Sequence, residues 1–230
     1  MLDDYKNPSF FAPDFDYFKT YPAPMFEAVF NQHIGPCNST TPYFGPLLYW
    51  LCRCVNALNV MEIGLAQGWS SFFMASAVKD AGVRNGVEGT YYGVDIADKK
   101  ELFDEMNARG VNAKFIHSDS LKWLETQTEI EKNKLELVFI DGWHETEHVK
   151  REVELIYPLL KDKGDGYLIL HDVSAWCEEV YPIILNDPKY KWESIRFLMN
   201  YGLAIMRKME NFPYDKIFWP DGCQHEQGVL

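Results

Sequence analysis

The chain has 230 residues, 47% of them hydrophobic and 15% aromatic, which is enough apolar material for one sizeable core. A formal net charge of −12 excludes the basic surface that phosphate contacts need, so we expect no nucleic-acid partner and no binding to acidic membranes. No apolar run approaches the ~20 residues that cross a bilayer, and the acidic start lacks the basic region of a secretory signal, so we expect a cytoplasmic protein.

Residues 1–48 are dense in aromatic residues and proline. Such a segment cannot remain solvated, so we expect it to pack over the sheet, over the functional site, or against another subunit of a homo-oligomer. We treat it as a cap on a single domain that spans residues 1–230, with a core at 49–208 and a tail at 209–230.

Strands and helices alternate along the core, which predicts a parallel sheet with helices on both faces. The predicted strands are 60–63, 90–94, 113–117, 135–140, 166–170, 192–198 and 203–208, and the predicted helices are 70–79, 99–109, 120–125, 144–159 and 178–186. A short turn joins the last two strands, which should therefore be antiparallel. The expected fold is α/β: a Rossmann-like, doubly wound sheet of seven strands, mostly parallel with an antiparallel last strand.

The first predicted strand runs into a glycine turn and then a helix, between Gly64 and Ser71. Glycines let the backbone approach a ligand, and the free N–H groups of a helix start favour a negative group, so this stretch predicts a nucleotide-type site. A dinucleotide fingerprint would need glycine at Ala66 and again at Trp69. An NAD-dependent oxidoreductase is therefore the less favoured interpretation.

The second predicted strand ends in a carboxylate, Asp95. A carboxylate leaving the neighbouring strand can accept hydrogen bonds from both hydroxyls of a ribose. Asp98 competes for this role, and a solvated strand-end aspartate is the alternative. The position relative to the glycine turn favours Asp95.

Two further carboxylates, Asp141 and Asp172, follow the fourth and fifth strands and should face the same crevice at the carboxyl edge of the sheet. They would repel each other unless a cation or a shared proton intervened, so Asp141, His171 and Asp172 are candidate ligands of a divalent metal. Mg²⁺ prefers oxygen ligands, and the histidine would shift the preference towards Mn, Fe or Zn. Alternatively, His171 is a general base or only a packed residue.

Two more histidines follow Asp141 at the predicted start of the next helix. His144 is a candidate catalytic residue because it lies beside the cation and the reacting group, with a capping histidine as the alternative. His148 lies four residues on, and we expect it to be a surface residue on the same helical face.

The ordered set of motifs resembles the class I S-adenosylmethionine-dependent methyltransferases, and within them the small O-methyltransferases and the methyltransferase-24 group. The resemblance covers about residues 40 to 208. It rests on Glu62-x-Gly64-x-x-x-Gly68, Gly93-Val94-Asp95, His117-Ser118-Asp119-Ser120, Ile140-Asp141-Gly142-Trp143-His144 and Ile169-Leu170-His171-Asp172.

This resemblance implies S-adenosylmethionine as the cofactor. The residues expected to bind it are Glu62, Gly64, Gly68, Ser70, Ser71, Asp95, Asp119, Ser120 and Asp141. Glu62 would hold the amino group of the donor or order the loop, and Ser70 would be a helix N-cap or a direct donor to the carboxylate. Asp119 and Ser120 lie where this superfamily contacts the exocyclic amine of adenine, although the same sequence is typical of a helix N-cap.

The implied activity is methyl transfer to a hydroxyl of a small-molecule acceptor, with His171, Asp141 and His144 as the catalytic candidates and with or without a divalent metal (Mg, Mn or another). A hydroxylase-like protein and a non-catalytic S-adenosylmethionine-binding protein of the same fold remain alternatives. The acidic and histidine residues favour an enzyme, because a protein that only bound the donor would not need them. No residue identifies the acceptor.

Overall fold

The computed structural model describes residues 44–198 and 201–212, and the account of structure below concerns these residues. The strands are β1 (Asn59–Ile63), β2 (Thr90–Asp95), β3 (Ala113–His117), β4 (Leu137–Ile140), β5 (Tyr167–His171), β6 (Trp192–Phe197) and β7 (Leu203–Lys208). The helices are α1 (Phe44–Cys54), α2 (Trp69–Asn85), α3 (Lys100–Ala108), α4 (Ser120–Thr126), α5 (Thr146–Ile156) and α6 (Val180–Asn186). Most of the predicted N-terminal cap and C-terminal tail lies outside the described residues.

The seven strands form one sheet in the order β3-β2-β1-β4-β5-β7-β6. Strands β1 to β5 pair in parallel, while β7 runs antiparallel to both β5 and β6. The predicted α/β sheet with a reversed last strand is therefore confirmed. The chain moves outward from β1 to β3 in one direction and from β4 to β5 in the other, so a crevice opens at the carboxyl ends of β1 and β4.

Apolar side chains cover both faces of this sheet, which explains the near-continuous hydrophobic runs in its central strands. All four residues of β4 are buried. Residues of α1, α2 and α3 form the core on one face, and residues of α4, α5 and α6 form the core on the other. No helix within the two described ranges is long and apolar enough to cross a membrane.

Two predicted helix boundaries were wrong. Helix α2 continues to Asn85, because its cap is Gly86 in the left-handed region (φ 66°), and the predicted end at residue 79 lies inside it. Helix α5 begins at Thr146, so His144 lies in the loop between β4 and α5 and does not share a helical face with His148.

Candidate active site

The glycine turn between β1 and α2 brings the backbone close to the end of β4. Gly64 and Gly68 have φ angles of 82° and 85°, which L side chains rarely adopt. A Cβ on Gly64 would lie 2.3 Å from the carbonyl oxygen of Asp141, and one on Gly68 would lie 2.4 Å from Leu102. Ala66, at the tip of the turn, is exposed. The glycines thus allow a tight turn whose tip faces the crevice.

Asp95 orders this turn. Its carboxylate accepts hydrogen bonds from the backbone N–H of Leu65 at 2.8 Å and of Ala97 at 2.7 Å. Each carboxylate oxygen keeps a further lone pair, which a ribose hydroxyl can use. The competing Asp98 is exposed and accepts from the N–H of Lys100 at 2.9 Å, at the start of α3. The structure therefore brings Asp95, and not Asp98, to the glycine turn.

Glu62 is fully buried beneath the turn, where it accepts hydrogen bonds from the hydroxyls of Ser70 and Tyr91. Burial raises the pKa of Glu62 to about 7, against the opposing effect of the hydroxyls, including that of Ser71. The N-cap of α2 is Gly68, so the interpretation of Ser70 as the cap was wrong. Tyr91 was missed in the sequence, because its contact with Glu62 depends on the pairing of β1 with β2.

Asp119 and Ser120 have different environments. Asp119 is exposed and caps α4 by accepting from the N–H of Lys122 at 3.0 Å. Ser120 is buried, and its hydroxyl donates to Glu152, a fully buried residue of α5 that the sequence analysis missed. His148 contacts the same pair, so it is not the surface residue that we expected. The spacing of His148 and Glu152, four residues apart on one helix, was the sequence signal that could have predicted this contact.

Four side chains meet at the carboxyl ends of β4 and β5, and we call Asp141, His144, His171 and Asp172 the acid–histidine cluster. His171 Nδ1 lies 2.9 Å from Asp141 Oδ1 and 3.4 Å from Asp172 Oδ1. His144 Nε2 lies 2.6 Å from Asp172 Oδ2 and 4.0 Å from Asp141 Oδ1. Each imidazole is therefore within reach of both carboxylates.

The two histidines of this cluster differ in exposure. The ring of His171 is buried, with its edge against Phe44 at 5.6 Å and Phe139 at 6.2 Å between ring centroids. The side chain of His144 is 37% exposed. Asp172, with φ 60°, turns the backbone sharply where β5 ends. Of the two imidazoles, only that of His144 lies open to a molecule entering from the crevice.

The carboxylates hold protons on both imidazoles at neutral pH. Asp141 and Asp172 raise the pKa of His144 to about 9. Burial lowers the pKa of His171, but the hydrogen bonds that its imidazole donates to Asp141 and Asp172 outweigh burial and raise this pKa to about 10. Burial would raise the pKa of Asp172, whereas the two histidines lower it to about 2. The positive charges of the two imidazoles thus balance the negative charges of the two carboxylates within the cluster.

The cluster also has the donor set of a metal site. Asp141, His171 and Asp172 each offer one ligand atom, and these atoms lie within 4.8 Å of one another. Two carboxylate oxygens and one imidazole nitrogen suit Mn, Fe or Zn better than Mg, which favours oxygen ligands alone. A divalent cation therefore fits these residues, provided that it displaces the proton from His171.

Exposed aromatic side chains surround the open side of the cluster, and we call Trp143, Trp176 and Tyr201 the aromatic rim. They are 65%, 61% and 55% exposed, respectively. The ring of Trp176 lies 5.6 Å from that of His144 and stacks on Tyr201 at 5.3 Å. The sequence analysis missed Trp176 and Tyr201, since no motif marks them and only the fold brings them to the crevice.

Comparisons with known proteins agree with this geometry. Residues 61–173 match the methyltransferase-24 family, described as a methyltransferase domain. The Tapetum-specific methyltransferase 1 of Arabidopsis thaliana is 29% identical over 131 residues, which are 56% of this chain and 52% of that protein. The chain thus spans about half the length of this curated relative.

Two solved structures share the fold. The SAH-bound methyltransferase PaMTH1 of Podospora anserina superposes with a TM-score of 0.64 at 14% identity, covering 82% of this chain and 87% of that one. The O-methyltransferase TomG of Streptomyces achromogenes, in complex with SAM, gives a TM-score of 0.63 at 15% identity, covering 90% and 96%. Residues 61–173 of this chain therefore resemble a methyltransferase domain, and the described residues have the Rossmann-like fold of S-adenosylmethionine-dependent methyltransferases.

Proposed function

We propose that this chain transfers the methyl group of S-adenosylmethionine to a hydroxyl oxygen of a small molecule. One observation carries the proposal: the acid–histidine cluster adjoins the glycine turn. The carbonyl oxygen of Asp141 lies 2.3 Å from the position that a Cβ of Gly64 would take, and the N–H of Asp141 donates to the carbonyl oxygen of Ile63 at 2.8 Å. A donor held by the turn would therefore have its methyl group close to the cluster.

The glycine turn and Asp95 account for the donor half of the site. The first N–H groups of α2 have no partners within the helix and favour the carboxylate of the donor. Asp95 would accept from the ribose hydroxyls, and Glu62 holds Ser70 and thereby the first turn of α2. This assignment leaves the acid–histidine cluster for the acceptor.

His144 is the residue best placed to take a proton from the acceptor. The acceptor oxygen attacks the methyl carbon in line, the O–C bond forms, and the C–S bond breaks with its electron pair left on a neutral thioether sulfur. The hydroxyl proton then goes to Nδ1 of a neutral His144, because Nε2 keeps its proton towards Asp172 Oδ2 at 2.6 Å. The buried His171 keeps Asp141 and Asp172 in place and is a positioning residue in this scheme.

A divalent metal would be held by Asp141, His171 and Asp172. When bound there, such an ion would lower the pKa of an acceptor hydroxyl. His144 can accept the proton of the acceptor hydroxyl with or without a metal, because it is not one of these three ligands.

The aromatic rim supports a small acceptor with a flat or apolar surface. Trp176 stacks on Tyr201 and both are largely exposed, so a molecule bound against them would remove apolar area from water. Transfer to oxygen is supported by TomG, which is an O-methyltransferase involved in tomaymycin synthesis and shares this fold.

Titration calorimetry tests the donor assignment. We expect S-adenosylhomocysteine and S-adenosylmethionine to bind the purified chain with one site each, and NAD to give no heat. Binding of NAD with no response to the two sulfur compounds would contradict the proposal and favour the oxidoreductase interpretation.

A further inference from the structure

The loop that follows β5 carries one residue of the acid–histidine cluster and one of the aromatic rim, and we call residues 172–177 the acceptor loop. It turns at Asp172, whose carbonyl oxygen accepts from two N–H groups later in the loop, at 2.9 and 3.0 Å. At its start, Asp172 Oδ2 lies 2.6 Å from His144 Nε2, and towards its end the ring of Trp176 lies 5.6 Å from that of His144. The position of this loop therefore determines two of the contacts of His144.

Residues of the last two strands and the turn before β7 bind the backbone of the acceptor loop. The N–H of Ser174 donates to the carbonyl oxygen of Tyr201 at 2.7 Å. On β6, Nη2 of Arg196 donates to the carbonyl oxygen of Val173 and lies 3.5 Å from the hydroxyl oxygen of Ser174. Two consecutive residues of the loop are thus bound from outside it.

Gly202 allows this close approach. Its φ is 90°, and a Cβ there would lie 2.3 Å from the hydroxyl oxygen of Ser174 and 2.7 Å from its backbone nitrogen. A side chain at this position would push the loop away from the start of β7. The packing at Ser174 therefore requires glycine, and Gly202 offers a second way to displace the loop.

Arg196 makes this backbone contact and no ion pair. Within the two described ranges no carboxylate pairs with its guanidinium, which lies over the ring of Tyr181 at 5.5 Å from the ring centroid. Its Nε is buried without a hydrogen-bond partner among the same residues. A charged donor forms a stronger hydrogen bond than a neutral one, so the bond to Val173 is the main polar contact of this half-buried side chain. Removing the guanidinium should therefore release the loop and break no salt bridge.

We infer that Arg196 is a positioning residue for the acceptor half of the site. By holding the residue next to Asp172, it keeps the acceptor loop where Asp172 orients His144 and the ring of Trp176 lies beside the imidazole. This inference rests on the proposed function, because it assigns the loop to the acceptor. Strands β4, β5 and β7 separate β6 from β1, so Arg196 lies in the opposite half of the sheet from the glycine turn. Its loss should lower turnover of the acceptor and leave the affinity for the donor unchanged.

Arg196→Met removes the guanidinium and keeps most of the side-chain volume. With a hydroxyl compound that the wild type methylates, kcat/KM of this variant should fall about tenfold, which corresponds to one charge-assisted hydrogen bond. Calorimetry should give the wild-type Kd for S-adenosylhomocysteine. Arg196→Lys keeps a charged donor for the carbonyl of Val173 and should recover most of the lost kcat/KM.

A second readout needs no acceptor. A protonated imidazole in contact with an indole ring quenches its fluorescence, so the emission of Trp176 at neutral pH reports the contact with His144. It is measured as the difference between a protein and the same protein carrying Trp176→Phe. This emission should rise in Arg196→Met, and also in Gly202→Ala, which displaces the loop by a different route.

Arg207→Met is the matched control. Arg207 lies on the neighbouring strand β7, and its Nε donates to the carbonyl oxygen of Gly164 at 2.7 Å, before the start of β5 and away from the acceptor loop. This variant should keep the wild-type values of kcat/KM and of Trp176 emission.

The inference is overturned, and the proposed function stands, if Arg196→Met keeps the wild-type kcat/KM and Trp176 emission, or if it weakens donor binding as much as turnover. If the wild type binds S-adenosylhomocysteine but methylates no hydroxyl, the proposed function fails, and the emission of Trp176 alone decides whether Arg196 positions the loop. Should Arg196→Met not fold, Arg196→Gln, which keeps a neutral donor, takes its place with the same expected direction.

Discussion

Replacing Asp95 with alanine should weaken donor binding more than any other single change at the glycine turn. The carboxylate is the acceptor available for both ribose hydroxyls, and each charge-assisted hydrogen bond contributes about 1.5–3 kcal/mol. Asp95 also accepts from the N–H groups of Leu65 and Ala97, so its loss releases the turn that must contact the donor. Water replaces part of these interactions, which leaves an expected loss of about 2–4 kcal/mol, or about 30- to 700-fold in Kd.

Calorimetric titration with S-adenosylhomocysteine measures this effect directly. Asp95→Asn should lie between the wild type and Asp95→Ala, because the amide retains one acceptor oxygen of similar size. Asp98→Ala is the matched control: this exposed aspartate accepts from the N–H of Lys100 and does not contact the glycine turn. Equal affinities for the wild type and Asp95→Ala, with both proteins folded, would refute the assignment of Asp95 to the ribose.

Three further outcomes are expected. Turnover should rise with pH to about 9, because His144 must be neutral to accept a proton and its pKa is raised to that value, and His144→Gln should lose this dependence in a pH–rate profile. Affinity for Mn²⁺ or Zn²⁺ should rise with pH up to about 10, since His171 must lose its proton to bind a metal. Calorimetry in buffers of different ionisation enthalpy should detect the released proton. If metal binding released no proton, His171 would be excluded as a ligand. Gly64→Ala should destabilise the fold by more than about 2 kcal/mol, because its Cβ would lie 2.3 Å from the Asp141 carbonyl oxygen. Gly86→Ala, with φ 66° and open space around it, should cost about 1 kcal/mol. Thermal melts measure both changes, and equal costs would contradict the close approach of Gly64 to Asp141.

The sheet was predictable from the sequence because its strands are short apolar runs separated by helical patterns. Strands β3 and β7 have the predicted bounds, and the turn between the last two strands correctly indicated their antiparallel pairing. Helix ends were less accurate, since the start of α5 depends on how the loop after Asp141 packs and not on hydrophobic periodicity.

The chemistry of the site was predictable where residues lie at strand ends and not where it depends on tertiary contacts. The carboxyl edge of a parallel sheet brings Asp141 and His171 together, as expected, and their side chains do meet. The burial of His171 depends on Phe44, which lies far away in the chain. Likewise, the hydrogen bond from Ser120 to Glu152 depends on how α5 packs against α4, and the sequence does not specify that packing.

The most direct test of the proposed methyl transfer uses S-adenosylmethionine labelled with deuterium in its methyl group. The purified chain is incubated with this donor and a panel of small phenols, sugars and aliphatic alcohols, and the products are analysed by mass spectrometry. We predict a labelled methyl ether together with an equal amount of S-adenosylhomocysteine, and loss of both products in His144→Gln at a pH near 9, where His144 of the wild type can be neutral. A label found on nitrogen or carbon, or a chain that binds the donor and methylates no hydroxyl in the panel, would contradict the proposal.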